Sequence, residues 1–372
     1  YNTTVSILSD NSILAQRNIS LFIARDDIMV SKSEDITLEG ENILVRFARS
    51  GDSFSSVLFY GKTGDRLTFL SVIHPISRLI YINKGKEVNE VISPNINTLE
   101  NNKVVLKYSS NLYDFQVTFK LSSKETIDVS YVLRPKEEIK ILRFDGPWLR
   151  IGERSWGVTR KSALFPGLEW LEGEERSSNT LDVIEPYNLR LVPNPYKITT
   201  PAIGIELDKY LVGLLWKDNT QLSTIFCSPN WYEGQDNHLV GLFLPSVSEF
   251  VKENETTAFV PYKTYKGETL NINSKILVIP NGTVLDLVPK WLNLYGSLDY
   301  SFPRNYKEEI ILCREGYKNI WDPNVCGWKH ATPGNWNAER YPKDIFLLLL
   351  DYALTKDKDA LNMANNALAQ LT

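Results

Sequence analysis

The stretch Tyr113-Asp-Phe115-Gln-Val117-Thr-Phe119-Lys-Leu121 decides the fold. Its apolar residues alternate with Asp114, Gln116, Thr118 and Lys120, the period of two that turns one face of a strand to a core and the other to water. Ile127, Val129, Tyr131 and Leu133 repeat the pattern, and Ser122-Ser123-Lys124 is a short enough connection for a hairpin. Working outward, further strands are expected near residues 43–48, 67–73, 103–108, 139–144, 202–207, 210–216, 239–244 and 274–279. Many short strands separated by turns mean an antiparallel sandwich rather than a parallel α/β sheet. An immunoglobulin-like sandwich needs only about 100 residues. Here the pattern continues to residue 282, so the expectation is one large, mainly β supersandwich over residues 1–282.

The period changes after Pro280-Asn281-Gly282. A linker (residues 283–305) is expected to carry a helix over Val284–Tyr295, and a helical segment (306–372) to begin with a helix over Tyr306–Glu315. Pro342 suits a helical first turn, and Ile345, Leu348, Leu349 and Tyr352 then fall at i, i+3, i+4 and i+7. Phe346, Leu347 and Leu350 make the other side apolar too, so this helix is expected to be buried around most of its circumference. A last helix should turn Leu361, Ala364, Leu368 and Leu371 inward, completing an αα-hairpin. So apolar a hairpin reads as the start of a larger helical domain or as a surface that packs on another subunit.

The composition excludes several classes. The 41 basic and 45 acidic residues give a net charge of -4 without long blocks of one sign, so there is no electrostatic footprint for nucleic acid. The longest apolar run, Ile345 to Leu350, falls far short of the roughly 20 residues that span a bilayer. The chain starts at Tyr1 and stops at Thr372 within a helical pattern, which reads as a processed or partial chain with an extracellular or cell-surface destination. Glycosylation sequons at Asn2, Asn18, Asn254 and Asn281 agree with export, but a chain so rich in Asn, Ser and Thr produces such triplets by chance. Cys313 and Cys326 flank a Gly/Asn/Pro-containing loop and are expected to form a disulfide, the alternative being two free buried thiols. The three histidines are scattered and no two cysteines have CxxC spacing, so no metal site is expected. GxSxG, P-loop, GxGxxG and HExxH motifs are absent and no cofactor is expected.

Three segments carry candidate chemistry. Phe165 to Asn179 interrupts the strand pattern with Glu169, Glu172, Glu174, Glu175 and Arg176 around Trp170. Paired carboxylates suit the acid and base roles of glycoside hydrolysis, so Glu169, Glu172 and Glu175 are the catalytic candidates. Trp170, or Trp156 upstream, offers a ring for a sugar to stack on. Asn230 to His238 groups Trp231 with Glu233 and His238, a composition that suits a hydroxyl-rich ligand. The loop from Trp321 to Arg340 holds Trp328, His330 and Trp336 in a Gly/Pro-containing setting, and exposed tryptophans need something to pack on or bind. Each segment has a plainer alternative, respectively a solvated acidic loop, an ordinary strand connection and an interdomain plug. The acidic segment and the Trp-rich loop are expected to lie near one another where sandwich and helices meet.

The large sandwich, the Val284–Tyr295 connector and the hairpin from Pro342 to Leu371 together resemble carbohydrate-active enzymes. In these, a galactose mutarotase-like supersandwich is joined through a linker helix to an (α/α) toroid. The resemblance implies a glycan or polysaccharide as partner and catalytic acids that commonly sit on the toroid, which places them past Thr372. The leading expectation is an extracellular carbohydrate-binding or carbohydrate-processing protein, the N-terminal part of a glycoside hydrolase-like enzyme. A noncatalytic surface or filament protein that self-assembles through the sandwich is the second expectation. A polysaccharide lyase, with a Tyr or His base and an Arg against a uronate, is the third.

Overall fold

The computed structural model describes residues 2–9, 12–20, 36–152, 160–179, 189–217, 219–296, 305–329 and 337–371. It divides into two compact units, Tyr1–Gly296 and Ser297–Thr372, each described here by itself. The first is the expected antiparallel β architecture, and the helices lie toward the C-terminal end.

Two large sheets build the first unit. A nine-stranded sheet runs from the edge strand Glu169–Glu172 through Leu270–Pro280, Thr126–Pro135 and Tyr113–Ser123 to the other edge at Ile96–Glu100. Tyr113–Ser123 and Thr126–Pro135 form the expected hairpin, with Phe115 opposite Leu133 and Phe119 opposite Val129. The alternation has the predicted effect: Tyr113, Phe115, Val117 and Phe119 are buried, whereas the residues between them are half-buried or exposed. A ten-stranded sheet supplies the facing layer, and Phe47, Phe59, Phe144 and Leu149 from it join one continuous core with Phe115, Tyr131 and Ile272 from the first.

The strand Lys140–Ile151 positions the site described below. Its first half pairs with Ser77–Asn83 and its second half with Arg66–Ile73. Its ladder with His238–Leu244 slips between Asp145 and Trp148, across Gly146 and Pro147. Proline has no amide hydrogen for a ladder, and an irregularity of this kind re-aims the side chains beside it. Ile141, Phe144, Leu149 and Ile151 therefore reach the main core. Trp148 joins a second apolar cluster with Ile80, Leu142, Leu239 and Phe243.

Strand gives way to helix where the period changes. Leu270–Pro280 is followed by a 3-10 turn at Val284–Asp286 and by α1, Leu287–Tyr295, which buries Leu287 and Trp291 within the first unit. The second unit holds α2 (Tyr306–Ile320), α3 (Pro342–Thr355) and α4 (Lys358–Leu368). Asn305 and Glu308 form a capping box on α2, and Asp357 caps α4 by accepting from the Ala360 amide at 2.9 Å.

Three expectations about this unit are corrected. α3 is not buried around most of its circumference: Ile345 and Leu348 are buried, but Phe346, Leu347, Leu350 and Leu354 are exposed. α4 packs through Ala360, Met363, Ala364 and Ala367, and Leu361 is only half-buried while Leu368 and Leu371 are exposed. Those four residues also fall at i, i+3, i+4 and i+7, and three alanines let the helices approach more closely than leucines would. The Cys313–Cys326 disulfide is absent and both thiols are free. α2 runs on to Ile320, so Cys313 sits roughly 10 Å back along its axis. Cys326 lies beyond the helix end, at the tip of the small hairpin that pairs Trp321 with Trp328, and a bridge needs Cα atoms within about 7 Å.

Candidate functional site

Where the Lys140–Ile151 ladder breaks, a cavity of about 210 Å³ opens. It is lined by Pro75, Arg78, Arg143, Asp145, Gly146, Trp148, Arg150, Tyr232 and Glu233. Five of these nine residues carry formal charge.

Arg150 grips Glu233 in a two-pronged pair, with Nε donating to Oε2 at 2.8 Å and Nη2 to Oε1 at 2.5 Å. Asn230, fully buried, donates to the same Oε2 at 2.7 Å and accepts from the Glu233 amide at 3.1 Å, which fixes the carboxylate from its other side. Bidentate pairs of this kind specify geometry as well as adding attraction. Arg143 Nε lies 2.8 Å from Asp145 Oδ1, and both residues are at least 94% buried, at 4% and 6% exposure. Burial pushes the Asp145 carboxyl above the usual range, against the pull of Arg143, Arg78 and Arg150. Buried ion pairs of this kind contribute little net stability, and perturbed carboxyls in a cleft are candidates for function.

Aromatic rings close the other side. The Arg143 guanidinium sits over the Trp148 ring at 4.8 Å, and Tyr232 meets Trp148 edge-on at 6.3 Å between centroids. Trp148 Nε1 donates to the Leu242 carbonyl at 3.2 Å and the Tyr232 hydroxyl is bonded to Thr256 at 2.7 Å, so both rings are held from behind. Gly241 makes room for the indole, because a Cβ there would come within 2.7 Å of Trp148 Cδ1. His74 precedes Pro75 and interacts electrostatically with both Arg150 and Glu233. Burial, then the Arg150 charge, lowers its pKa. Its Nδ1 lies 2.9 Å from the Ser56 hydroxyl and 3.2 Å from the Ser55 carbonyl.

The acidic segment around Trp170 is arranged differently. Glu169 turns inward, its Oε1 accepting from the Ser178 amide at 3.1 Å and hydroxyl at 2.8 Å, and burial raises its pKa. Its Oε2 is buried without a hydrogen-bond partner. Glu172, Glu175 and Arg176 are exposed, and Trp170 is 56% exposed with its Nε1 donating to Glu172. Trp231 is half-buried at the edge of the second apolar cluster. His238 is fully buried, with Nδ1 bonded to Ser228 at 2.9 Å and Nε2 unpartnered. Trp328 is 1% exposed and belongs to the core of the helical unit. His330, Trp336 and Trp156 lie outside the described residues. Among the sequons, Asn254 and Asn281 both adopt positive φ, and the side chains of Asn2 and Asn18 lie outside the description. No group of three or more metal-ligating side chains occurs among the described residues.

Among the described residues, Glu233 is thus the one sequence candidate that lines the cavity. Arg78, Arg143, Asp145, Trp148 and Arg150 were missed, although charges inside an apolar strand such as Leu142-Arg-Phe-Asp-Gly-Pro-Trp-Leu-Arg150 are the signal that finds them.

No known protein family matches the sequence, and no curated protein matches it. Solved structures do resemble it in shape. A galactose mutarotase-related enzyme from Lactobacillus acidophilus is 11% identical, with a TM-score of 0.38 over 66% of this chain and 97% of its own. A galactose mutarotase-like protein from Lactobacillus casei is 14% identical, with a TM-score of 0.40 over 66% of this chain and all of its own. An α-N-acetylgalactosaminidase from Bifidobacterium bifidum is 10% identical, with a TM-score of 0.46 over 86% of this chain and 49% of its own. The likeness is one of architecture.

Proposed function

We propose that the protein binds a carbohydrate in the cavity beside the broken strand Lys140–Ile151. One observation carries this reading: Arg78, Arg143, Asp145, Arg150 and Glu233 converge on a space walled by Trp148 and Tyr232. A sugar ring offers hydroxyls to fixed donors and acceptors and a C–H face to an aromatic wall, and this lining supplies both. A volume of about 210 Å³ is below the roughly 300–1,000 Å³ of drug-sized sites, so one ring is the unit held.

Calorimetric titration with a panel of monosaccharides tests the reading, together with Glu233→Gln. That substitution keeps the shape and removes the charge held by Arg150. Affinity should fall by about tenfold or more, the effect of weakening a hydrogen bond to a charged group. Absence of sugar binding by the wild type, or a folded Glu233→Gln protein that binds unchanged, refutes it.

A further inference from the structure

The charges in the cavity do not cancel. Arg78, Arg143 and Arg150 bring three positive charges against the two negative charges of Asp145 and Glu233, a surplus of one. Two of the arginines are committed, Arg150 to Glu233 and Arg143 to Asp145. Arg78 differs from them. Among the described residues it has no carboxylate in ion-pair contact; it is half-buried on the strand Ser77–Asn83, its Nε, like that of Arg143, is buried without a hydrogen-bond partner, and its charge acts on Asp145 from the cavity wall. A buried guanidinium donor left unbonded costs free energy until a ligand satisfies it, and its planar fork matches a carboxylate or sulfate.

We propose that the ligand of this cavity is an anionic sugar, whose carboxylate or sulfate is received by Arg78. This rests on the carbohydrate reading above and narrows it to a substrate class. Asp145 and Glu233 are already engaged by Arg143 and Arg150, so the anionic substituent completes the ion pairing and the ring hydroxyls take the remaining hydrogen-bonding positions. A wholly neutral ring satisfies the same hydroxyl positions and leaves the Arg78 charge unpaired.

The test compares matched sugars on the wild type and on Arg78→Gln by calorimetry. The set is glucose, galactose, glucuronate, galacturonate and galactose 6-sulfate, with sodium acetate and sodium sulfate as sugar-free anions. The wild type should bind at least one anionic sugar about tenfold more tightly than its neutral parent, a preference that weakens with added salt. Arg78→Gln should erase that preference, bringing the affinity for the anionic sugar down to that for its neutral parent. Whether uronates or the sulfated sugar bind more tightly identifies the anion. Equal affinity for neutral and anionic sugars overturns this inference and leaves the carbohydrate reading standing. Binding of no sugar defeats both. Acetate or sulfate binding as tightly as the anionic sugars overturns the inference as well, because the cavity would then hold an anion without a ring. A folded Arg78→Gln protein that keeps the preference removes Arg78 from the role.

Discussion

The sandwich and the helical unit solve the same burial problem with different completeness. In the sandwich, two facing sheets each offer an alternating apolar face, and residues such as Phe47, Phe59, Phe119 and Val117 reach 0% exposure. In the helical unit, a core of seven buried residues around Trp328 and Leu348 forms on one side only. Ile311 on α2 and Phe346, Leu350 and Leu354 on α3 stay exposed. A pair of sheets closes its own core, whereas three helices are apolar on more faces than they can cover. The polar groups follow the same division. The sandwich buries His238 completely, and the helical unit ties α2 to the α3–α4 hairpin through half-buried ion pairs from Arg314 to Asp351 and Asp357.

The largest expected effect tests this contrast directly. Phe119→Ala empties a fully enclosed site, edge-on to Phe47 at 5.2 Å between ring centroids, and should cost about 3–5 kcal/mol. Phe346→Ala removes the same side chain from a position 63% exposed and should change stability by no more than about 0.5 kcal/mol. Calorimetric melting of both variants reads the difference. A loss at Phe346 as large as that at Phe119 breaks the comparison, because it means that the α3 face is covered in solution.

A smaller effect concerns His238. Burial, reinforced by the charge of Arg160, pushes its pKa down from 6.5 to about 3. The folded chain keeps the ring neutral in mild acid, while the unfolded chain takes up a proton below about pH 6.5. Stability contributed by this group is therefore complete above about pH 6.5 and is lost as pH falls toward about 3, at roughly 1.4 kcal/mol per pH unit. His238→Asn should flatten that part of the profile. Urea midpoints at about pH 7 and about pH 5 measure it, and equal losses in the two proteins show that the imidazole is reached by protons in the native state.

The fold was legible because period two is local and repeats over many strands, as in Tyr113–Leu121. The helical unit was legible in its elements but not in its faces. Leu361 and Leu368 were expected inward on hydrophobicity, yet the alanines of α4 take the contact because small residues permit closer approach. The cavity was mostly illegible. It depends on a slip in register at Gly146-Pro147 that brings residues 74–78, 143–150 and 232–233 together, and nothing local in any of these segments encodes the other two. Glu233 drew notice because aromatic and polar residues cluster around it, whereas Arg143 lay within the expected strand 139–144, read only for its apolar positions, and Asp145 lay just past its end.

The smallest expected effect separates two kinds of tryptophan within the sandwich. Trp148 is 5% exposed, packed against Tyr232 and Phe243 and bonded to the Leu242 carbonyl, so its ring is part of the fold as well as of the cavity wall. Trp170 stands on the edge strand Glu169–Glu172, 56% exposed, with its indole N–H satisfied by the neighbouring Glu172. Removing an exposed ring leaves no cavity and strands no buried polar atom, so Trp170→Ala should alter stability by no more than about 0.5 kcal/mol, a shift in Tm of about 1–2 °C. Since Trp170 does not line the cavity, sugar affinity should also stay within about twofold of the wild type, a change of less than 0.5 kcal/mol. Melting temperature and affinity measured on the same variant distinguish the alternatives. A Tm drop of several degrees means that the ring is covered by something in solution, and a loss of affinity at unchanged Tm returns the acidic segment to the sugar site.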